Sequence, residues 1–166
     1  MYKRIVVPLD GSDLAEVALP HAEELSRLTG AGLHLVRVVD IVSGTPYGAY
    51  IALEAVGYAE ALSAEKTDSV AYLSRMQTRL AARGFSVTTE CRRGPAAHEL
   101  TQSVDLDDVI VMATHGRGGM RRWLIGSVAE EVIRHSPVPV LLVRADQESY
   151  FRVESPVSRE VSASIA

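Results

Sequence analysis

Short apolar runs and amphipathic stretches alternate along this chain, and that alternation constrains its fold more than any other feature. Lys3-Arg-Ile-Val-Val-Pro-Leu9 is a β-branched run that ends at Asp10-Gly-Ser-Asp13. Such a run, closed by turn residues, reads as a strand buried on both faces. Leu14, Val17 with Ala18, His21 with Ala22, Leu25 and Leu28 then recur at helical spacing and predict a helix. Asp13 with Glu16 is the expected capping pair, and Gly30 the expected stop. Pro20 falls inside, where the loss of a backbone donor is expected to bend the axis.

The same grammar repeats downstream. Leu33–Val39 is the second strand, and residues 41–53, uncharged and containing Gly44, Pro46 and Gly48, predict a loop that carries Tyr47 and Tyr50. A long helix is expected from Tyr58 to Arg83, with Leu62, Val70, Leu73, Met76 and Leu80 turned inward and Gly84 ending it. Phe85–Cys91 alternates as a third strand, with Cys91 read as a core residue. Gly94-Pro95 precedes a short helix over 96–103, and Val109–Met112 is the fourth strand. Ser127–His135 follows as a helix whose acidic start, at Glu130 and Glu131, and basic end, at Arg134 and His135, suit its dipole. Pro137–Val143 is the fifth strand, and because Pro139 has no N–H to donate, it belongs at a sheet edge. Strands and helices in strict alternation predict an α/β parallel sheet covered by helices on both faces.

After Arg144 the periodicity ends. Residues 145–166 are polar, rich in serine and aperiodic, a C-terminal polar extension to one domain spanning 1–144. A net charge of −4 and a pI near 5.7 argue against general binding of nucleic acid. No apolar run is long enough to span a bilayer and no signal-type segment opens the chain, so a cytoplasmic, membrane-free protein is expected. A single cysteine excludes an internal disulfide and a cysteine-based metal cluster. His115 has no second ligand at a zinc spacing, and His21, on an apolar helix face, reads as a satisfied core histidine, so no metal site is assigned.

The chemistry is concentrated in Ala113-Thr-His-Gly-Arg-Gly-Gly-Met-Arg-Arg-Trp-Leu-Ile-Gly126-Ser127. It joins a strand to a helix start. Glycines let the backbone approach a ligand, and the first N–H groups of a helix have no partner within it, so this arrangement suits a phosphate. Arg117, Arg121 and Arg122 would suit a triphosphate, and suit a solvated face equally well. Ser127 with Glu130 also matches a capping box, and Asp10-Gly-Ser-Asp13 also matches a plain turn with a cap. No glycine run is followed by Gly-Lys-[Ser/Thr], so efficient phosphoryl transfer is not expected and no catalytic residue is assigned.

Taken together, Ile5-Val-Val-Pro-Leu-Asp-Gly-Ser12, Val109-Ile-Val-Met-Ala-Thr-His-Gly-Arg117 and Gly126-Ser-Val-Ala-Glu-Glu-Val-Ile-Arg-His-Ser-Pro-Val-Pro-Val-Leu-Leu-Val143 resemble the universal stress protein family over roughly residues 2–144. The resemblance implies a Rossmann-like, flavodoxin-like fold: a doubly wound, open five-stranded parallel sheet of order 3-2-1-4-5. It also implies ATP, accompanied by Mg2+, in a stress-response regulator that acts as a nucleotide-dependent switch. Gly116, Gly126 and Ser127 would touch phosphates, with Met112, Ala113, Thr114, His115, Arg117, Gly119 and Val128 beside them. Pro8, Asp10 and Val38 would surround the nucleoside, Asp10 accepting from ribose or adenine and Val38 packing on the base. Homodimerisation is implied through the edge strand 138–143, and slow ATP hydrolysis is left open.

Among ATP-binding members the signature is Gly, two residues, Gly, nine residues, then Gly with Ser or Thr. Here Gly116, residues 117–125 and Gly126-Ser127 match the second part, while Ala113 replaces the first glycine. A β-carbon there is penalised if the position needs positive φ. Two alternatives stand beside this expectation. One is a nucleotide-free interaction module on the same fold. The other is an adenylate-forming enzyme, because Asp10-Gly-Ser-Asp13 faintly resembles pyrophosphatase-type loops, although the Ser-Gly-Gly opening of such loops is missing.

Overall fold

The computed structural model describes residues 1–39, 58–114 and 125–144, with the side chains of 58–62 left aside. The strands are β1 (Arg4–Pro8), β2 (Gly32–Val39), β3 (Val87–Arg93), β4 (Asp108–Ala113) and β5 (Val140–Val143). The helices among the described residues are α1 (Asp13–Glu16), α2 (Ala18–Thr29), α3 (Tyr58–Ala81), α4 (Ala96–Gln102) and α5 (Ser127–His135). All strand pairings are parallel, and the order is β3-β2-β1-β4-β5. Both the fold class and the strand order match the expectation.

Alternate residues of the central strands feed two cores, one on each face of the sheet. Ile5, Val7, Leu33, Leu35, Val109 and Val111 pack with α1, α2 and α3. Val6, Val36, Ile110 and Met112 pack with α4 and α5. Each aliphatic side chain sealed this way contributes about 1.5–3 kcal/mol, which is why β1 and β4, apolar on both sides, occupy the centre.

Local chemistry shifts several elements from their expected places. The first helix is two helices: α1 ends at Glu16, with Val17 as its C-cap, and α2 begins at Ala18. Pro20 therefore lies in the first turn of α2; in one continuous helix its N–H would have met the Glu16 carbonyl, and the helix is interrupted there, a break where a bend was expected. The break also resets the helical phase. Ala18, Leu19, Ala22, Glu23 and Ser26 become the buried stripe, while Leu28 is 74% exposed and His21 faces solvent instead of the core. Glu23 is buried because Arg83 meets its carboxylate at 2.6 Å.

In α3, Leu73, Met76 and Leu80 face inward as expected, together with Ser69 and Tyr72, but Val70 is half exposed. It sits one residue, about 100° of helix, away from that stripe. The side chain of Leu62 lies outside the described residues, as do Tyr47, Tyr50 and the 41–53 loop. β3 begins two residues later than its alternation implied and runs on to Arg93, so Cys91 is only half-buried on an edge strand, against the α3 side of the core. Burial still pushes its thiol above the usual range. β5 starts after Pro139, whose carbonyl accepts from Ile110 N at 3.0 Å, and it is an edge strand as expected.

Polar residues close the opposite end and the flank of the sheet. Arg4 clasps Asp108, 1% exposed, at 2.6 Å, and also reaches Asp105 at 2.8 Å. Burial pushes the Asp108 carboxyl up, but Arg4 and the Asp105 N–H outweigh it and hold it below the usual range. His34, buried within β2, places Nδ1 2.8 Å from Thr88 Oγ1 and Nε2 3.2 Å from Glu90. Gln77 of α3 donates to the Val87 carbonyl on the outer edge of β3 at 2.8 Å.

Candidate functional site

The connection after β1 leads to β2 on one side, and the connection after β4 leads to β5 on the other, so the winding reverses between β1 and β4. In open α/β sheets the crevice at the carboxyl ends of such strands is where ligands sit. Pro8, Asp10, Met112, Ala113 and Thr114 all lie at that end. Val38 lies at the same end of β2, half-buried against the core beneath α4 and α5.

Ala113 is the last residue of β4, in register with Val143. A strand backbone has negative φ, so nothing about this position requires glycine. Met112 directs its side chain into the core and pairs with Leu142 of β5. Beyond Ala113, Thr114 donates its N–H to the Val143 carbonyl at 2.8 Å, and its own carbonyl accepts from Gly126 N at 2.8 Å. These two bonds tie the end of β4 to β5 and to the start of α5. His115, Gly116, Arg117 and Gly119 fall between the tied ends and lie outside the described residues, as do Arg121 and Arg122.

The capping-box alternative for Ser127 is not what the structure contains. The N-cap is Gly126, at φ −59 and ψ 149, with no side chain to cap the helix, and Ser127 is the first helical residue. The Ser127 hydroxyl makes no hydrogen bond among the described residues, and Ser127 and Val128 are exposed. Among the described residues the leading N–H groups of α5 therefore have no side-chain cap, and the helix dipole adds partial positive charge at the same point.

Asp10 is differently placed. Its Oδ1 accepts from Ser12 N at 2.9 Å and from Ser12 Oγ at 2.6 Å. Ser12, not Asp13, is the N-cap of α1, its Oγ accepting from Ala15 N at 3.2 Å. Glu16 is turned away from the expected capping pair and accepts from Tyr72 OH at 2.9 Å. Near the carboxyl end of β2, Arg37 is 6% exposed, paired with Glu65 at 3.2 Å and stacked 5.3 Å above the Tyr72 ring. Sequence reasoning missed this group, although an arginine inside an otherwise apolar strand was its signal: a buried cation requires partners.

The family model for the universal stress protein family matches residues 1–144. The chain belongs to the universal stress protein family. Universal stress protein MJ0531 of Methanocaldococcus jannaschii is 33% identical over 147 residues, covering 87% of this chain and 83% of that protein. Among solved structures, the universal stress protein UspA from Lactobacillus plantarum superposes with a TM-score of 0.69 at 25% identity, over 86% of this chain and 98% of its own. The universal stress protein from Archaeoglobus fulgidus in complex with dAMP superposes with a TM-score of 0.55 at 22% identity, over 85% of this chain and 97% of its own, and shares the fold. Among the described residues of this universal stress protein, no helix is long and apolar enough to cross a membrane.

Proposed function

We propose that this universal stress protein binds ATP in the crevice between β1 and β4 and works as a nucleotide-dependent switch in a cytoplasmic homodimer. The observation that carries the proposal is the start of α5, uncapped by any side chain among the described residues and fastened through Gly126 to Thr114 at the crevice. Backbone N–H groups so exposed favour a phosphate. In this role Gly116, Gly126 and Ser127 contact phosphates, with Met112, Ala113, Thr114, His115, Arg117, Gly119 and Val128 alongside. Pro8, Asp10 and Val38 receive the nucleoside. The dAMP held by the Archaeoglobus fulgidus protein supports an adenine nucleotide.

No trio of His, Cys, Asp or Glu side chains suited to a metal is gathered among the described residues, so Mg2+ would arrive on the triphosphate. The functional domain is residues 1–144, with 145–166 as a C-terminal extension. Its dimer partner is a second copy, paired along residues 138–143, where Leu141 is 44% exposed on an edge strand. An apolar edge of this kind favours burial against a partner. A second reading, a nucleotide-free interaction module, draws on the Asp10–Ser12 bonds, which already engage one of the oxygens expected to hold ligand.

Denaturing the purified protein and identifying released nucleotide by mass spectrometry, alongside calorimetric titration with ATP and Mg2+, separates the two. An adenine nucleotide in the supernatant or saturable heat supports the switch. Neither one, with millimolar ATP in the titration, would leave the interaction module.

A further inference from the structure

The Asp10–Ser12 turn is the part of the crevice whose support is least expected. It leads into α1, a helix of four residues. A single turn has almost no stability of its own, because nucleation costs more than one or two hydrogen bonds return. Something must hold it from outside.

The support is at its far end. Glu16, the last residue of α1, accepts from Tyr72 OH at 2.9 Å through Oε1 and from Arg79 at 3.1 Å through Oε2. Both donors belong to α3. Tyr72 is 7% exposed, and its ring lies beneath the Arg37 guanidinium, which Glu65 holds in turn. Burial, then the charge of Glu16 and its hydrogen bond, push the Tyr72 hydroxyl above its usual range, and the charge of Asp10 adds to the shift. The hydroxyl therefore stays protonated and remains a donor. Side chains from β2, α1 and α3 thus form one connected group, and α1 carries its hold to the Asp10 carboxylate.

Resting on the nucleotide site proposed above, we infer that Glu16 and Tyr72 are positioning residues of that site: through α1 they fix the Asp10–Ser12 turn to α3, so nucleotide held at Asp10 is felt along α3. Neither residue touches the ligand. Both act by limiting where the Asp10 carboxylate can be, and a ligand that selects one position of Asp10 must by linkage steady Tyr72 as well.

The test compares Glu16→Ala, Glu16→Gln and Tyr72→Phe with Gln77→Ala, which removes a different α3 contact, the bond to Val87. Calorimetry with ATP and Mg2+ should show affinity falling about tenfold in Glu16→Ala and about threefold in Tyr72→Phe, the scale of ordinary coupling between sites. Glu16→Gln keeps an oxygen for Tyr72 and should return to within about twofold of wild type, as should Gln77→Ala. Hydrogen exchange gives the second readout. ATP should slow exchange in residues 69–76 as well as 10–16 of the wild type, and in Tyr72→Phe only in 10–16. If the wild type binds ATP and the Glu16 and Tyr72 variants match it, this inference fails while the site stands. If Gln77→Ala loses as much affinity as Glu16→Ala, general loosening of α3 replaces it. If the wild type binds no ATP, the site fails and the inference falls with it.

Discussion

Gly126 donates its N–H to the Thr114 carbonyl at 2.8 Å, so the first residue after β4 and the last residue before α5 meet although eleven residues lie between them in sequence. The backbone of Gly126, at φ −59 and ψ 149, is one that any residue adopts. Its lack of a side chain therefore serves approach, not conformation. Gly126→Val should keep the far-UV circular dichroism of the wild type and lose ATP binding by at least about tenfold, since a branched side chain would stand where phosphate must come close. Unchanged affinity by calorimetry would move the phosphate site elsewhere.

Ala113 offers the opposite case. It stands where the ATP-binding signature has glycine, yet it is the extended end of β4 and 7% exposed. Ala113→Gly should cost about 0.5–1 kcal/mol through added backbone freedom in the unfolded chain. It should leave ATP affinity where it was. Denaturant titration reads the first effect and calorimetry the second; a clear gain in affinity would show that the methyl group obstructs the ligand.

The Arg4–Asp108 pair sets an acid limit. The folded carboxyl titrates below its usual value, so its contribution is full above the unfolded pKa, near 3.8, and is lost as pH falls through the lower folded value. Stability should therefore decline from this source only below about pH 4. Arg4→Ala leaves the Asp108 charge buried and unpaired, and at neutral pH should cost about 2–4 kcal/mol, with partial exposure of Arg4 keeping it from the upper end for buried pairs. The difference from wild type should shrink as the pH drops toward 2. Urea titrations at both ends of that range check the sign, and a deficit that grows in acid would refute it.

Leu141→Asp tests the proposed dimer. Leu141 is already 44% exposed, so a carboxylate there should leave the isolated fold within about 1 kcal/mol of wild type. Across a β5 pairing, two such charges would be desolvated together, and sedimentation should show monomers at concentrations where the wild type is dimeric. An intact dimer would place the interface on another face.

The strands were the most legible part of the chain, because β1, β2 and β4 are mostly apolar short runs bounded by turn residues. Helix phase was less so. Periodicity cannot register that the chain restarts its helix at Ala18, which is why one bent helix was expected around Pro20 and His21 looked buried. Caps were misread by one residue in both helices that border the site: Ser12 caps α1 in place of Asp13, and Gly126 precedes α5 in place of Ser127. In each case several adjacent residues can cap, and the backbone chooses among them only once the strand before it is fixed. The charged residues of β2 were the largest omission. His34 and Arg37 lie inside an apolar run, and their partners, Glu90 and Glu65, are distant in sequence, so only the folded chain brings them together.

The two margins of the sheet are built to different ends. At β3 the outer carbonyl of Val87 is occupied by Gln77, and the Glu90–Arg92–Glu99 charges line the flank. β5 presents Leu141 and no comparable guard among the described residues. The pairing proposed along β5 would thus meet less obstruction than one along β3. If the proposed pairing forms, it fills the β5 margin of both copies and leaves only the guarded β3 margins outward, which would give a closed pair and not a continuing ribbon.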